Sequence, residues 1–164
     1  MTLHFKKEEY IFGDSFYIYD ENFKRKYQVK SGIMLWKKKF EIFDLDKNLL
    51  VTIKNEPKSI IKKKYYIVIN GQTKAAITKE PVSLLPKLTI EGLDWELHGA
   101  MRHEHEMLEH GKEIYSFHVE STEWGIRPIL TINDSVDELL ALAVAMTISY
   151  VTNATEEGES SQHL

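Results

Sequence analysis

The segment from Val136 to Thr152 most constrains the fold, because its 17 residues contain no Lys, Arg, Gly or Pro and are apolar on almost every side. Ser135 and Glu138 form an S-x-x-E pattern, which predicts a capping box at the start of a helix. The purely apolar part, residues 139–151, would be about 20 Å long as a helix, whereas a bilayer core requires roughly 30 Å. We therefore predict a helix buried in a globular core rather than a membrane span.

Composition favours a single globular domain. The chain has 164 residues, of which 43% are hydrophobic and 28% are charged, and a chain of this length can bury a substantial core. It contains no cysteine, which excludes a disulfide framework and a thiol nucleophile. The first residues lack the apolar run that a signal peptide requires, so we expect a cytoplasmic location.

Charge is distributed unevenly along the chain. Residues 1–80 contain 17 Lys and Arg against 10 Asp and Glu, a net charge of +7, whereas residues 81–164 contain 4 against 15, a net charge of −11. Such an asymmetry can mark a basic binding face. It is also expected if the two halves pair with each other in a closed fold, and we favour this second explanation slightly.

A strand-like pattern recurs six times before the apolar segment. Each copy begins with alternating apolar residues followed by a turn rich in Asp, Asn or Gly, such as Asp20-Glu21-Asn22 or Asn70-Gly71, and in the first five copies a second alternating stretch comes next. These features are typical of β-hairpins with one buried face. Consecutive copies are separated by 24, 25, 23, 17 and 25 residues, measured between the central residues Ile18, Ile42, Ile67, Ile90, Met107 and Ile132.

Five or six such pairs supply about ten to twelve strands. An open sheet of that size would expose its edges, and closure into a barrel removes them. A barrel of about twelve strands is too wide for side chains alone to fill, and the apolar helix 136–152 has the size and character to fill it. We therefore predict a mainly β fold, a closed antiparallel barrel of about 12 strands built from repeated hairpins and enclosing a C-terminal hydrophobic α-helix. The predicted inward faces carry Phe16, Ile18, Phe40, Ile42, Ile67, Ile69, Leu88, Ile90, Leu130 and Ile132.

The chain resembles the bacterial branch of the LURP-one-related family, within the Tubby C-terminal-like superfamily that also includes phospholipid scramblases. The resemblance covers roughly residues 3–152 and is carried by the repeat, the terminal helix and three phrases: Ile18-Tyr19-Asp20-Glu21, Ser83-Leu84-Leu85-Pro86-Lys87 with Leu88-Thr89-Ile90-Glu91-Gly92, and Ile132-Asn133-Asp134 leading into Asp137-Glu138-Leu139-Leu140-Ala141-Leu142-Ala143. It implies a barrel around a hydrophobic helix, a phospholipid scramblase-like fold, and no enzyme.

The resemblance also bears on ligands. Tubby domains bind phosphoinositide headgroups through basic surface residues, and scramblases act at membranes with calcium. The chain has no obvious counterpart of the scramblase's acidic calcium loop followed by a spanning tail, so scrambling is not carried over to it.

Two lysine runs, at the same point of neighbouring repeats, are the candidate binding site. They should lie side by side at one barrel end, where each cation near an anionic lipid surface contributes about 1 kcal/mol and neighbouring apolar side chains add to the attraction. Alternatively, the lysines only protect strand ends and keep the protein soluble. The candidate residues for lipid or anion binding are Lys37, Lys38, Lys39, Lys58, Lys62, Lys63, Lys64, Lys87 and Trp36.

Metal binding, nucleic-acid binding and catalysis are weaker interpretations. His103 and His105 would share one face of a strand, the minimum for two imidazole ligands, but the repeat places His105 where other copies have Phe or Tyr. The acidic net charge and the absence of nucleic-acid-binding motifs argue against a nucleic-acid partner. The sequence contains no G-x-S-x-G, P-loop or H-E-x-x-H pattern, and we expect neither an enzyme nor a cofactor.

We therefore predict a barrel domain over residues 1–152, with its central helix at 136–152, followed by a disordered acidic tail at 153–164. The predicted function is a noncatalytic binding module that contacts anionic phospholipid headgroups or a membrane surface through the lysine-rich barrel end, without a transmembrane span. The alternative is a protein–protein interaction or scaffold domain that does not bind lipid.

Overall fold

The protein is described by a computed structural model. The structure describes residues 1–6, 15–34, 37–57, 63–80, 87–101, 104–123 and 125–162.

The described residues form twelve β-strands and a C-terminal helix. The strands have five or more residues except the first, which has four, and they follow one another along the chain without an intervening helix in the described residues. In chain order they are β1 (Thr2–Phe5), β2 (Ser15–Tyr19), β3 (Arg25–Met34), β4 (Lys37–Phe43), β5 (Leu49–Pro57), β6 (Lys63–Ile69), β7 (Gln72–Glu80), β8 (Lys87–Glu91), β9 (Trp95–Met101), β10 (Glu104–Glu109), β11 (Lys112–Thr122), β12 (Gly125–Ile132) and α1 (Glu138–Gln162).

All twelve strands belong to one antiparallel sheet that curls into a nearly closed barrel. Its order is β8-β7-β6-β5-β4-β3-β2-β1-β12-β11-β10-β9, so almost every strand pairs with its neighbours in the chain. The exception that closes the barrel is β1, which lies between β2 and β12 and pairs Leu3 with Leu130. The predicted architecture of about twelve antiparallel strands around a hydrophobic helix is confirmed.

One predicted hairpin differs from the others. Strands β8 and β9 follow one another in the chain, but their described residues do not pair, and the two strands form the edges of the sheet. This copy is also irregular in the sequence, because Ile90 and Met107 are separated by 17 residues instead of 23 to 25. The barrel therefore has a seam between β8 and β9, and is nearly closed rather than closed.

The repeat produces two different barrel ends. At one end, which we call the turn end, short turns connect β2 to β3, β4 to β5, β6 to β7 and β10 to β11. At the opposite end, which we call the loop end, β3, β5, β7 and β11 finish and β4, β6, β8 and β12 begin.

The turns repeat in detail. Asp20 Oδ1 accepts the backbone N–H of Asn22 and of Lys24 at 2.8 and 3.0 Å. Asp44, 24 residues later, accepts the N–H of Asn48 at 2.8 Å. These self-bonded turns are the conformation expected from their Asp and Asn residues.

The inward-facing side chains form one continuous core. Ile18, Ile42, Ile67 and Met107 are fully buried, as the alternating pattern of a half-buried strand predicts. Of the predicted inward set, only Phe40, Leu88 and Ile90 are partly exposed while still packing against the core. Leu88 and Ile90 belong to β8, the edge strand at the seam.

Helix α1 lies inside the barrel. It contacts β5, β6 and β7 on one side and β11 and β12 on the other, and residues 141–149 are buried without interruption. A helix that is buried all round needs apolar side chains on every face, which explains the composition of this segment. No helix of the described residues is both long and apolar enough to cross a membrane.

The start of α1 corrects the predicted capping box. The N-cap is Asp137, whose Oδ1 accepts the N–H of Leu140 at 3.1 Å. Ser135 instead lies in a turn and donates its hydroxyl to Asn133 Oδ1 at 2.9 Å. The predicted partner Glu138 is the first helical residue, and its carboxylate contacts strand β3. Because of the turn that follows β12, the helix begins at Glu138, two residues after the predicted start at Val136.

The end of α1 also differs from the prediction. The backbone of residues 153–162 continues the helix, whereas the sequence predicts disorder from residue 153. Extending an existing helix adds about one hydrogen bond for each residue that is fixed, and this stretch contains no proline. Residues 163–164 of the predicted tail lie outside the described residues.

The two halves of the chain occupy two walls of the barrel. The basic residues 1–80 contribute strands β1 to β7, and the acidic residues 81–164 contribute strands β8 to β12 together with the interior helix α1. Ion pairs join the halves where the walls and the helix meet, as between Lys26 and Glu138 at 2.8 Å and between Lys64 and Glu91 at 2.8 Å. Ion pairs therefore link the two halves of the chain. The two walls of the barrel still carry net charges of opposite sign.

Candidate functional site

The lysines predicted to bind anions gather at the loop end. Strand β4 begins with Lys37, β6 with Lys63 and β8 with Lys87, and all three strands start at this end. Strands β4 and β6 are separated only by β5, so the two lysine runs are about 10 Å apart at the spacing of neighbouring strands. The expectation that both runs lie at one barrel end agrees with this topology.

The inner rim of the loop end carries a pair of cations. Lys63 and Lys79 lie directly opposite each other on β6 and β7, and both occupy the inward register of their strands, in line with Tyr65 and Ile77. Lys79 Nζ donates a hydrogen bond to the Val151 carbonyl at 3.4 Å. The rim therefore brings two like charges together at the level where α1 leaves the buried core. Like charges directly opposite in a sheet repel each other.

The outer face beside this rim carries further lysines. Lys39 on β4 is directly opposite Lys54 on β5. Carboxylates balance part of this charge, because Glu41 lies 3.6 Å from Lys39 and Glu91 lies 2.8 Å from Lys64. The hydrogen bond with Glu91 raises the pKa of Lys64 above its usual value, so its ammonium stays charged.

Below the rim lies an aromatic layer. Tyr150 of α1 packs edge-on against Phe40 at 5.2 Å and against Tyr65 at 6.1 Å between ring centroids. Burial, with a smaller contribution from Tyr150, raises the pKa of Tyr65 to about 12, so its hydroxyl stays neutral at physiological pH. Asn55, which pairs with Tyr65 across the strands, has a buried Oδ1 with no hydrogen-bond partner among the described residues. The site is thus an arc of lysines on strands β4 to β8, with an aromatic layer inside the barrel beside it.

Several predicted site residues fall outside this description. Trp36, Lys58, Lys62 and His103 lie outside the described residues. For Lys37 and Lys38 the structure describes the backbone in β4 but not the side chains. The side chains that it does describe are those of Lys39, Lys63, Lys64 and Lys87.

Sequence reasoning did not include Lys54 and Lys79 in the candidate site, although the structure brings both to it. A signal for them exists in the repeat. Lys54 and Lys79 are 25 residues apart and stand at the same point of consecutive copies, shortly before the connection at the loop end. Reading the repeat for charge as well as for hydrophobic residues would have identified them.

The second candidate for metal binding, His105, is a core residue. Its ring stacks on Phe117 at 5.4 Å, and its Nε2 lies 2.9 Å from the Tyr115 hydroxyl. Burial lowers the pKa of His105 to about 4 and holds the pKa of Tyr115 well above its usual value. Within the described ranges, no three His, Asp or Glu side chains are grouped closely enough to hold a metal ion. His105 thus occupies the position that aromatic rings hold in other repeats.

Comparison with known proteins adds the following relationships. A model of the LURP-one-related family matches residues 1–149. The uncharacterized protein YxjI of Bacillus subtilis (strain 168) is 27% identical over 158 residues, which cover 96% of this chain and 97% of that protein.

Structural comparison finds a similar fold in a solved protein. The X-ray structure of a protein from Arabidopsis thaliana has a TM-score of 0.61 with this chain and 12% sequence identity. The match covers 92% of this chain and 90% of that chain. At this identity the likeness concerns the fold alone.

Proposed function

The chain belongs to the LURP-one-related family, and on that premise we propose that it is a noncatalytic binding module whose loop end contacts anionic phospholipid headgroups. In this role the protein acts at the surface of a membrane, on the cytoplasmic side, without crossing it. The observation that carries the proposal is the convergence of Lys39, Lys54, Lys63, Lys79 and Lys87 at one end of the barrel.

The electrostatics of the loop end supports the proposal. Lys63 and Lys87 are exposed, and neither forms an ion pair with another described residue. Each such cation contributes about 1 kcal/mol near an anionic surface, so several acting together give measurable binding without a deep pocket. The attraction should weaken as salt rises, because exposed charges are screened within about 8 Å at physiological ionic strength.

A sedimentation assay with vesicles tests the proposal. Neutral vesicles of phosphatidylcholine are compared with vesicles containing phosphatidylserine or a phosphoinositide, at low and high salt. We expect sedimentation with the anionic vesicles at low salt and little with the neutral ones. Failure to sediment with any anionic vesicle at low salt would overturn the proposal.

A pair of matched variants locates the surface. Lys54→Glu with Lys63→Glu reverses two charges at the loop end, and Lys74→Glu with Lys112→Glu makes the same charge change at the turn end. All four side chains are exposed. The loop-end variant should weaken vesicle binding at least about tenfold, and the turn-end variant should weaken it much less. Equal losses in both would mean that net charge, and not the loop end, governs binding.

The second candidate function is a protein-interaction or scaffold domain without lipid binding. It is favoured by large apolar side chains that stay exposed at the turn end, notably Phe23, 53% exposed, and Leu45, 55% exposed. Exposed apolar groups that cluster at one site mark protein contacts. Because β3 and β4 are paired neighbours, the turns that carry these two residues lie next to each other.

This alternative has its own test. Wild type and the double variant Phe23→Ser with Leu45→Ser are used as baits in native lysate, and bound proteins are compared quantitatively. A partner retained by wild type and lost with the variant supports the scaffold function. Identical profiles for the two baits would count against it.

A further inference from the structure

Helix α1 leaves the barrel at the loop end, beside the strands that carry the lysines. Tyr150 packs edge-on against Tyr65 of β6, at 6.1 Å between ring centroids. Lys79 of β7 donates a hydrogen bond to the Val151 carbonyl at 3.4 Å. The backbone of residues 153–162 then continues the helix, and we call this segment the extension. At 1.5 Å per residue it adds about 15 Å of helix beyond the buried part.

The extension has a net charge of −3. It contains Glu156, Glu157 and Glu159 but no Lys, Arg or Asp. The backbone of these residues lies about 8 to 12 Å beyond Val151 along the helix axis. Exposed charges act over about 8 Å at physiological ionic strength and over about 30 Å at 0.01 M salt. The three negative charges are therefore within electrostatic range of the lysines around Val151.

The strands next to the helix exit carry the opposite charge. At the loop end they contribute eight lysines and two glutamates, a net charge of +6, within residues 37–39, 54–57, 63–64, 79–80 and 87. The net charge is still +4 when Glu41 and Glu91 are included, which pair with Lys39 and Lys64. The extension thus begins beside a part of the barrel that attracts it.

The other side of the loop end does not compete for the extension. Strand β10 begins with Glu104, and Glu120 lies near the end of β11, with both side chains exposed. Arg127 is directly opposite Glu120 on β12, so it balances only part of this negative charge. Like charges repel the extension from this side, and opposite charges attract it towards β4 to β8.

The extension lacks features that stabilise a helix locally. Gly158 costs about 1 kcal/mol relative to alanine. Glu159 lies in the last turn, where a negative charge interacts unfavourably with the helix macrodipole and where no basic residue is present. Since the extension has no Lys or Arg, it also has no ion pairs between residues four apart. Cations outside the helix, at the loop end, supply a stabilising attraction that its own sequence does not.

We propose that the extension is an autoinhibitory segment, which competes with anionic headgroups for the lysines of the loop end. This inference rests on the proposed lipid binding, because both concern the same lysines. An anionic surface has to displace the extension from these lysines, so the affinity is lower than the lysines alone would give. Surfaces of high negative charge density overcome the competition, and weakly charged surfaces do not.

Removing the negative charges of the extension tests the competition. The triple variant Glu156→Gln, Glu157→Gln and Glu159→Gln keeps the length of the chain and changes its net charge from −4 to −1. Sedimentation with phosphatidylserine vesicles at low salt compares it with wild type. We expect the variant to bind at least about fivefold more tightly, because the lysines no longer have an internal competitor.

A matched control makes the same change of net charge elsewhere. Glu96→Gln, Glu106→Gln and Glu113→Gln remove three exposed carboxylates from β9, β10 and β11, at a distance from the loop end. This control should bind the vesicles less than about twofold more tightly than wild type. Circular dichroism and thermal melting verify that both triple variants retain the fold.

Cross-linking with a carbodiimide tests the attraction without lipid. This reagent joins a lysine amine and a nearby carboxylate directly as an amide. Mass spectrometry of the cross-linked monomer should find links from the glutamates of the extension to the lysines of the loop end, and not to Lys74 or Lys112 at the turn end. High salt should reduce their yield, because it screens the attraction.

Three results would overturn the inference. They are equal vesicle affinities of the extension variant and wild type, an equal gain in affinity for the control, and cross-links that reach turn-end lysines as often as loop-end lysines. Each of them leaves the proposed lipid binding in place as long as wild type sediments with anionic vesicles. If neither wild type nor the extension variant sediments with them, lipid binding and its regulation both fail.

Discussion

The two ends of the barrel are built by the same repeat, yet they differ in how their chemistry is determined. At the turn end, Asp20 and Asp44 satisfy the backbone of their own turns at equivalent positions, and the helix starts against Lys26 and Tyr27. At the loop end, lysines face one another across strands. Local hydrogen bonds thus determine which residues occupy the turn end. The lysines of the loop end, in contrast, are not required by the local backbone structure.

Helix α1 connects the two ends, and disrupting it should have the largest effect. Leu142 is fully buried between the barrel walls. Leu142→Asp places an unpaired carboxylate in the apolar core, at a cost of several kcal/mol that is comparable to the total stability of a domain. We expect a variant that is unfolded at 25 °C by circular dichroism.

The control for this variant keeps the volume and polarity of the side chain. Leu142→Met should remain folded and lose less than about 1.5 kcal/mol. If Leu142→Asp instead melts at the same temperature as wild type, the helix is not the core on which both ends depend.

Most of the architecture could be predicted from the sequence, because it follows from two periodicities. The 24-residue spacing gave the hairpins, and the continuous apolar run gave the interior helix, with Ile18, Ile42 and Ile67 correctly placed in the core. The capping residue was wrong because Ser135 and Asp137 are both good N-caps, and only the turn after β12 decides between them. The seam was missed because a shortened repeat does not by itself reveal a lost strand pair.

The candidate site could be predicted only in part. A run of like charges at a strand end indicates where lysines gather, and topology confirms the common end. Which lysines are neutralised by a carboxylate depends on the register of the strands. Glu91 on β8 forms an ion pair with Lys64 on β6, across β7, although the two residues are 27 positions apart in sequence. Pairing of this kind is a tertiary property, and the pattern of one strand does not contain it.

The buried contact of His105 should make stability depend on pH. The folded protein holds its pKa at about 4, below the ordinary value of 6.5, because burial disfavours the charged ring. Between pH 4 and 6.5 the unfolded chain therefore binds more protons than the folded protein. The free energy of unfolding is highest above pH 6.5 and decreases as the pH is lowered towards 4. The loss is about 3 kcal/mol, measured by urea denaturation across this range.

A neutral amide at the same site provides the control. His105→Gln keeps a polar partner for the Tyr115 hydroxyl but does not titrate. Its stability should change much less between pH 6.5 and 4 than that of wild type. Parallel pH profiles for both proteins would mean that another group is responsible for the acid sensitivity.

At the turn end, Glu138 forms the corresponding buried polar contact. Its carboxylate accepts a hydrogen bond from the Tyr27 hydroxyl at 2.8 Å and pairs with Lys26 at 2.8 Å. Glu138→Ala leaves the partly buried Tyr27 hydroxyl without this acceptor, which costs about 1 to 3 kcal/mol. Chemical denaturation of wild type and variant at pH 7 measures the difference.

A double-mutant cycle isolates the contact with Tyr27. Tyr27→Phe removes the hydroxyl, so adding Glu138→Ala to it should cost less than Glu138→Ala costs in wild type. If the two substitutions are strictly additive, the carboxylate stabilises the protein through Lys26 or through the helix start, and not through the Tyr27 hydroxyl.

The smallest expected effect concerns glycine substitutions at two equivalent turn residues. Lys47 and Phe23 both adopt a left-handed backbone, with φ of 66° and 58°, which disfavours any side chain with a Cβ. Lys47→Gly should therefore stabilise the protein by about 0.5 to 1 kcal/mol.

Phe23→Gly gains the same relief of backbone strain but loses a ring that stacks on His4 at 4.3 Å and lies 4.7 Å from the Arg127 guanidinium. Such contacts are worth about 0.5 to 1.5 kcal/mol, so its stability in urea should rise less than that of Lys47→Gly, or fall. Equal gains for both variants would mean that these contacts do not hold Phe23 in place, and its exposed ring would then have no role in folding and would point to a role in binding.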